Sequence, residues 1–326
     1  MMTKRILSGM RPTGKLHIGH YVGALENWVN LQKEYDNFHL IADYHVLTTN
    51  TDTSDIYKNT IEMVKDWVAA GIDPEKSPIF RQSQIKEHTE LHLLFSMLIT
   101  TARLERNPSL KEQIRDLKLD NISYGHFGYP VLQAADILLY KGNLVPVGED
   151  QTSHVEITRE LARKFNKTYG KIFPEPKAKL TRYSRLPGLD GKTKMSKSLG
   201  NTISPSDSPE EIWQSVRKAI TDTKKIRKND PGHPEVCTIF TYQNVFNKEN
   251  IEQIEKDCKS GILGCVDCKK MCAKKISDHF ADYRNKRSEF DKKPGLVKDI
   301  LNDGEKRAKQ VAQETMREVR EVMKIG

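Results

Sequence analysis

Two short stretches of this chain hold side chains suited to phosphate chemistry. His17 and His20 flank Gly19 in Leu16-His17-Ile18-Gly19-His20-Tyr21, with Gly9 and Gly14 upstream. Glycines let backbone approach a ligand closely. The start of a following helix points amides and the positive end of its dipole at an anion, and the two imidazoles add donors beside it. Lys194-Met195-Ser196-Lys197-Ser198 follows the charged loop Leu189-Asp190-Gly191-Lys192-Thr193. Two cations and two hydroxyls in one turn suit a polyphosphate clamp. Alone, the first stretch reads equally as an ordinary strand–turn–helix corner and the second as a solvated loop. In a third stretch, Tyr129-Pro130-Val131-Leu132-Gln133-Ala134-Ala135-Asp136-Ile137, an amide and an acid three residues apart share one helical face of an otherwise apolar run. Such a pair either points out to water or reads a ligand. Finally, Cys237, Cys258, Cys265 and Cys268 are separated by twenty, six and two residues, and Cys272 follows three residues later. The close Cys265–Cys268 pair suits metal ligation. Four thiolates serve zinc and iron–sulfur clusters alike, and the alternative is five unrelated reduced thiols.

The elements that must position these groups alternate between strand and helix in the first half, the pattern of a doubly wound parallel sheet. Ile6-Leu7, Phe38–Ala42, Ile79–Gln82 and Leu144–Val147 read as strands. Between them, Tyr21, Leu25, Trp28 and Val29 mark one helix face. Ser54 is placed to cap a helix through Ile61, Val64, Trp67 and Val68 that stops at Gly71. A further helix is expected from His88 to Thr101, and another from His154 to Phe165, while Pro130 suits a first helical position. Ser208-Pro209-Glu210-Glu211 is a strong helix start, and only helical patterns follow it, ending in a helix with Ala308, Val311, Ala312, Val319 and Val322 on one side. The expected fold is α/β, with a Rossmann-like catalytic domain over 1–204 and an all-helical domain over 205–326.

The length of 326 residues agrees with two domains. With 53 basic against 44 acidic side chains, a net charge of +9 favours polyanionic partners. Met1-Met2-Thr3-Lys4-Arg5 leads straight into a strand, unlike a secretory leader, and no apolar run approaches a membrane span. A cytoplasmic protein without membrane contact is expected, whose cysteines serve as thiols or metal ligands and not as disulfides.

Together, the H-I-G-H and K-M-S-K-S stretches resemble the paired signatures of class I aminoacyl-tRNA synthetases. The run Ala134-Ala135-Asp136-Ile137-Leu138-Leu139-Tyr140, then Val145-Pro146-Val147-Gly148-Glu149-Asp150-Gln151, then His154, Glu156 and Arg159, is similar to the tryptophanyl branch. The tyrosyl branch is its near relative. The resemblance runs from Ile6 to the final helix. It implies activation of L-tryptophan with ATP and Mg²⁺, followed by transfer to tRNA(Trp), by a homodimer. Residue by residue, it implies that Asp136 accepts the indole N–H, while Tyr129 and Gln151 hold the ammonium and carboxylate ends. Gln133 also fits the tyrosyl pattern. Arg11, Pro12, Thr13, Gly19 and His20 would line the ATP site, with Gly148, Glu149 and Asp150 toward the adenosine. Lys194, Met195, Ser196, Lys197 and Ser198 would close over the pyrophosphate. His17, His20, Lys194 and Lys197 would stabilise the charge that moves onto it.

The cysteines resemble a bacterial subset of that branch with a 4Fe-4S cluster in the anticodon-binding domain, although the long gap is slightly shorter here. Cys272 is a possible substitute ligand and zinc the alternative metal. Beside them, Lys224, Lys225, Arg227 and Lys228, then Lys269, Lys270, Lys274 and Lys275, would meet tRNA phosphates. Two rivals stay open: a tyrosine-specific enzyme on the same fold, and a non-catalytic RNA-binding or redox paralogue.

Overall fold

The computed structural model describes residues 4–116, 121–148, 152–180, 186–193, 195–196 and 199–326. Among them, Arg5–Met10 (β1), Asp36–Ile41 (β2), Ile79–Arg81 (β3), Leu144–Val147 (β4) and Lys177–Leu180 (β5) form one parallel sheet in the order β3-β2-β1-β4-β5. The winding reverses between β1 and β4. In such sheets ligands enter at the carboxyl ends of the strands beside that reversal. Gly9 belongs there for packing reasons, because a Cβ would sit 2.8 Å from the Leu40 carbonyl on β2.

β5 has no counterpart among the expected strands. Its Lys-Ala-Lys-Leu sequence lies on the sheet edge with mostly exposed side chains, so it carries no apolar signal. The Ile56–Ala70 helix ends at Gly71 as expected, with φ +111°. Its N-cap position is Asp55 and not Ser54, whose amide instead donates to Asp52 at 2.9 Å. The helix expected from His88 to Thr101 runs Glu87–Ser96. Thr100 then accepts from the Arg103 amide and caps a separate short helix, Thr101–Glu105.

The chain groups into two compact units, Met1–Gly14 with Glu26–Arg182 and Lys293–Gly326, and Lys15–Leu25 with Tyr183–Lys292. This division differs from a cut at 204, at both ends and for local reasons. In the second unit the Ile18 amide donates to the Ile203 carbonyl at 2.8 Å, and Tyr21 packs edge-on against Phe280. In the first unit the final helix, Leu296–Met323, lies on β3. A Cβ on Gly304 would come 2.0 Å from the Ile79 carbonyl, and Arg81 holds Glu305 at 2.6 Å. Ala308, Ala312, Met316 and Val319 of that helix are fully buried in the first unit's core with Phe95, Leu138, Tyr140 and Phe165. Within the second unit, Ser208 and Glu211 form the expected capping box on the Pro209–Val216 helix. No helix among the described residues is long and apolar enough to cross a membrane.

Candidate functional site

In the first unit the Tyr129–Leu139 helix carries Asp136 into the interior, where it is 2% exposed. A carboxylate stays charged there only if donors replace water. Three do. Gln82 Nε2 and His88 Nδ1 both donate to Oδ1 at 2.7 Å, and His45 Nε2 donates to Oδ2 at 2.9 Å. Burial pushes the Asp136 carboxyl up, but the hydrogen bonds from His45 and His88 outweigh it and hold the group well below the usual carboxylate range. Each carboxylate oxygen accepts about two hydrogen bonds. Among the described residues Oδ1 is therefore full, and Oδ2 keeps one open position. His45 and Gln82 sit just beyond β2 and β3, at the carboxyl end of the sheet.

One turn before Asp136, Gln133 is half-buried on the same helix. Tyr129, at its first position, is 8% exposed; its hydroxyl bonds His154 Nε2 and accepts from Gln113 Nε2 at 2.7 Å. Asn107 in turn lies 3.2 Å from His154 Nδ1. The rings of His45 and His126 pack at 6.0 and 5.8 Å from that of Tyr129. Arg11 donates to Thr49 Oγ1, and partial burial lowers its pKa while Tyr129 raises it. Pro12 is buried and Thr13 exposed beside it. The first unit thus gathers Arg11, Tyr129, Gln133 and Asp136. It adds four residues that sequence reasoning passed over: His45, Gln82, His88 and His126. None lies in a recognisable motif, since each comes from a different loop or helix.

The second unit holds the described residues of both phosphate-type motifs. His17 and His20 stack at 3.7 Å, and the His17 amide donates to His20 Nδ1 at 3.3 Å. Gly19 is required between them, because a Cβ would stand 2.9 Å from His17 Nδ1 and 3.4 Å from Met195 Sδ. Hence Met195 of the K-M-S-K-S stretch lies against the H-I-G-H turn. Asp190 and Asn201 brace that loop. The Asp190 carboxylate accepts from Thr193 Oγ1 at 2.6 Å and Asn201 Nδ2 at 3.1 Å, and the Ser196 amide donates to Asn201 Oδ1 at 2.7 Å. Those bonds, the Thr193 hydroxyl foremost, lower the Asp190 pKa to about 2. Gly148, just after β4, is half-buried. Glu149, Asp150, Gln151, Lys194, Lys197 and Ser198 lie outside the described residues.

The second unit also holds the cysteines. Cys237 caps the Thr238–Phe246 helix, Cys258 lies in Ile251–Lys259, and Cys265 and Cys268 stand one turn apart at the start of Cys265–His279. Burial raises the thiol pKa values of Cys237, Cys258 and Cys268, the last to about 11. Nearby thiols raise them further, and every pair among these four cysteines interacts. Cys272, fully buried, interacts among the cysteines with Cys268 and Cys237. No group of three or more His, Cys, Asp or Glu among the described residues is arranged as the ligands of one metal ion.

Comparison with known proteins decides the family. The chain matches the tRNA synthetases class I (W and Y) over residues 3–281. It belongs to that family. Over 98% of its length it is 49% identical to a tryptophan–tRNA ligase of Thermotoga maritima, covering 99% of that relative. It is 42% identical to the Aquifex aeolicus tryptophan–tRNA ligase, with 98% of this chain and 100% of the relative covered. The tryptophanyl-tRNA synthetase of Campylobacter jejuni, solved with ADP and tryptophan, superposes with a TM-score of 0.86 at 35% identity, covering 98% of this chain and 99% of that one. A class I enzyme of this family needs an amino-acid pocket and a polyphosphate site. The surroundings of Asp136 and the H-I-G-H turn with Met195 beside it are candidates for the two.

Proposed function

We infer that this chain is a tryptophan–tRNA ligase. It joins the carboxylate of L-tryptophan to the α-phosphate of ATP, forming the O–P bond of tryptophanyl-adenylate and breaking the bond to the departing pyrophosphate. It then passes the tryptophanyl group to the 3′ end of tRNA(Trp). The carboxylate is already ionised at neutral pH, so no general base is needed. Rate comes from positioning and from stabilising charge as it moves to pyrophosphate.

The observation that carries the amino-acid choice is the single open acceptor position on Asp136. Indole presents one polar atom, a donor, and that position takes one donor. Tyr129, Gln133 and Gln151 hold the rest of the amino acid. Arg11, Pro12, Thr13, Gly19 and His20, with Gly148, Glu149 and Asp150, receive ATP. His17, His20, Lys194 and Lys197 steady the leaving group, and Met195, Ser196 and Ser198 complete the loop around it. Mg²⁺, carried on the phosphates, would share the same negative charge.

The cysteine set fits a 4Fe-4S cluster, with zinc the alternative. Three features support a bound cationic centre. Four thiols are mutually close, and burial opposes ionisation of Cys237, Cys258 and Cys268. Gly232 leaves room at Cys258, where a Cβ would come 2.5 Å from Sγ. Lys225 is 8% exposed with no hydrogen-bond partner for its ammonium, beside Cys258, as suits an anionic metal–thiolate group. Bound, the centre would cross-link three helices through Cys237, Cys258, Cys265 and Cys268. The surrounding lysines and arginine, except Lys225, which is buried and so departs from the sequence expectation, then meet tRNA phosphates, making this helical region the anticodon-binding part of a cytoplasmic homodimer.

Tryptophan-dependent exchange of pyrophosphate into ATP, with tyrosine in parallel, tests the reading. Exchange with tryptophan alone is expected. Exchange with tyrosine alone overturns the amino-acid choice, and none with either overturns the activity.

A further inference from the structure

Asp136 does not hold its orientation by itself. Each of two donors is fixed by a second partner behind it. Gln82 Oε1 accepts the Tyr44 amide at 3.1 Å, so its NH₂ faces the carboxylate. His88, fully buried, lies between Asp136 and the Tyr140 hydroxyl, with Nδ1 2.7 Å from Oδ1 and Nε2 2.9 Å from Oη. An ionised carboxylate only accepts, so a neutral His88 carries its proton on Nδ1, and its Nε2 accepts from Tyr140. The chain of donation runs one way, Tyr140 to His88 to Asp136. Tyr140 cannot turn aside. Its ring is fully buried, stacked on Phe38 at 5.1 Å and tilted on Phe80 at 5.1 Å. Burial and the Asp136 charge also keep its phenol protonated.

We propose that Tyr140 and His88 are specificity-determining positioning residues, a relay that fills Oδ1 and leaves Asp136 one acceptor position aimed at an indole N–H. The proposal rests on the tryptophan reading above and names residues that never touch the substrate. Without the His88 donor, Oδ1 regains a free lone pair. The carboxylate can then rotate or recruit water, and the pocket stops distinguishing a ligand with one donor from a ligand with none.

The test compares tryptophan with an isosteric analogue in which sulfur replaces the indole nitrogen, by kcat/KM in pyrophosphate exchange. His88→Leu removes the donor, Tyr140→Phe removes only the hydroxyl behind it, and His88→Asn restores an N–H near the position of Nδ1. The expected result is a fall of about ten-fold or more in the preference for tryptophan with His88→Leu. A smaller fall is expected with Tyr140→Phe and recovery with His88→Asn, all through KM for tryptophan with KM for ATP unchanged. If both substrates lose activity equally, or the preference is unchanged, the relay is merely structural and the proposal is overturned. Should His88→Leu fail to fold, Tyr140→Phe and His88→Asn decide by the same ratio. Absence of exchange by the unaltered enzyme would instead overturn the assigned activity, so the two failures are distinct.

Discussion

The Asp136 pocket and the cysteine site solve the same problem, a buried group that ionises, in opposite ways. Around Asp136 three side chains donate hydrogen bonds, and the carboxylate is held charged before any substrate arrives. Around the cysteines the donors are fewer and weaker, with Gln243 Nε2 at 3.6 Å from Cys268 Sγ. The thiols of Cys237, Cys258 and Cys268 are driven toward the neutral form, and Lys225, a cation beside Cys258, is itself buried with no hydrogen-bond partner among the described residues. The Asp136 carboxylate is satisfied by the protein itself and, on the reading proposed above, selects an N–H donor. On the reading proposed above, the second would be completed by a bound metal centre. Polar groups that the protein satisfies itself mark selection, whereas those it leaves unsatisfied mark a missing component.

The largest expected effect follows from the second half of that contrast. Serine at Cys237, Cys258, Cys265 or Cys268 should abolish retention of bound metal, read as iron, sulfide and zinc per chain with the cluster's visible absorbance. Cys272→Ser should leave it intact, because Cys272 stands outside the fully interacting set of four. Equal loss from Cys272→Ser would move the ligand set and break the contrast.

Lys225→Met sharpens it through a change of sign. In metal-free protein, removing a buried unpaired ammonium should raise the melting temperature. In loaded protein it should lower it, each by the equivalent of about 1–3 kcal/mol. The same sign in both forms would mean that Lys225 serves neither.

A smaller effect concerns His39, a third answer to burial. It sits fully buried against Trp28 at 5.4 Å, bonded to Ser8 Oγ at 2.8 Å, and burial lowers its pKa from 6.5 to about 3. The folded state holds the neutral ring, so its contribution is present above the unfolded pKa and is lost as pH falls toward about 3. Thermal stability should fall from about pH 6 to about pH 4, less steeply in His39→Gln. Parallel slopes would remove His39 from the acid response.

The same contrast explains what could be read from the sequence. Four strands, the capping box at Ser208 and the helix stop at Gly71 announced themselves through apolar runs and local turn chemistry. So did the two phosphate-type stretches, which are contiguous. β5 was hidden because an edge strand of alternating lysines has no apolar pattern. The Lys15–Leu25 and Lys293–Gly326 segments changed units through contacts far apart in sequence, such as Ile18 with Ile203 and Gly304 with Ile79. Asp136 stood out as an acid in an apolar run. His45, Gln82 and His88 did not, since their convergence requires the sheet to bring three separate chain segments together. Cysteine spacing suggested a ligand set, but the orphaned Lys225 needed coordinates.

The most direct test of the central claim is pyrophosphate exchange by Asp136→Asn, run with tryptophan and with the analogue lacking the indole N–H. The amide is nearly the same size, but it replaces one acceptor oxygen with a donor and removes the charge. The account predicts a loss of about a hundred-fold or more in kcat/KM for tryptophan and little change for the analogue. Equal losses for both, or unchanged use of tryptophan, would contradict it.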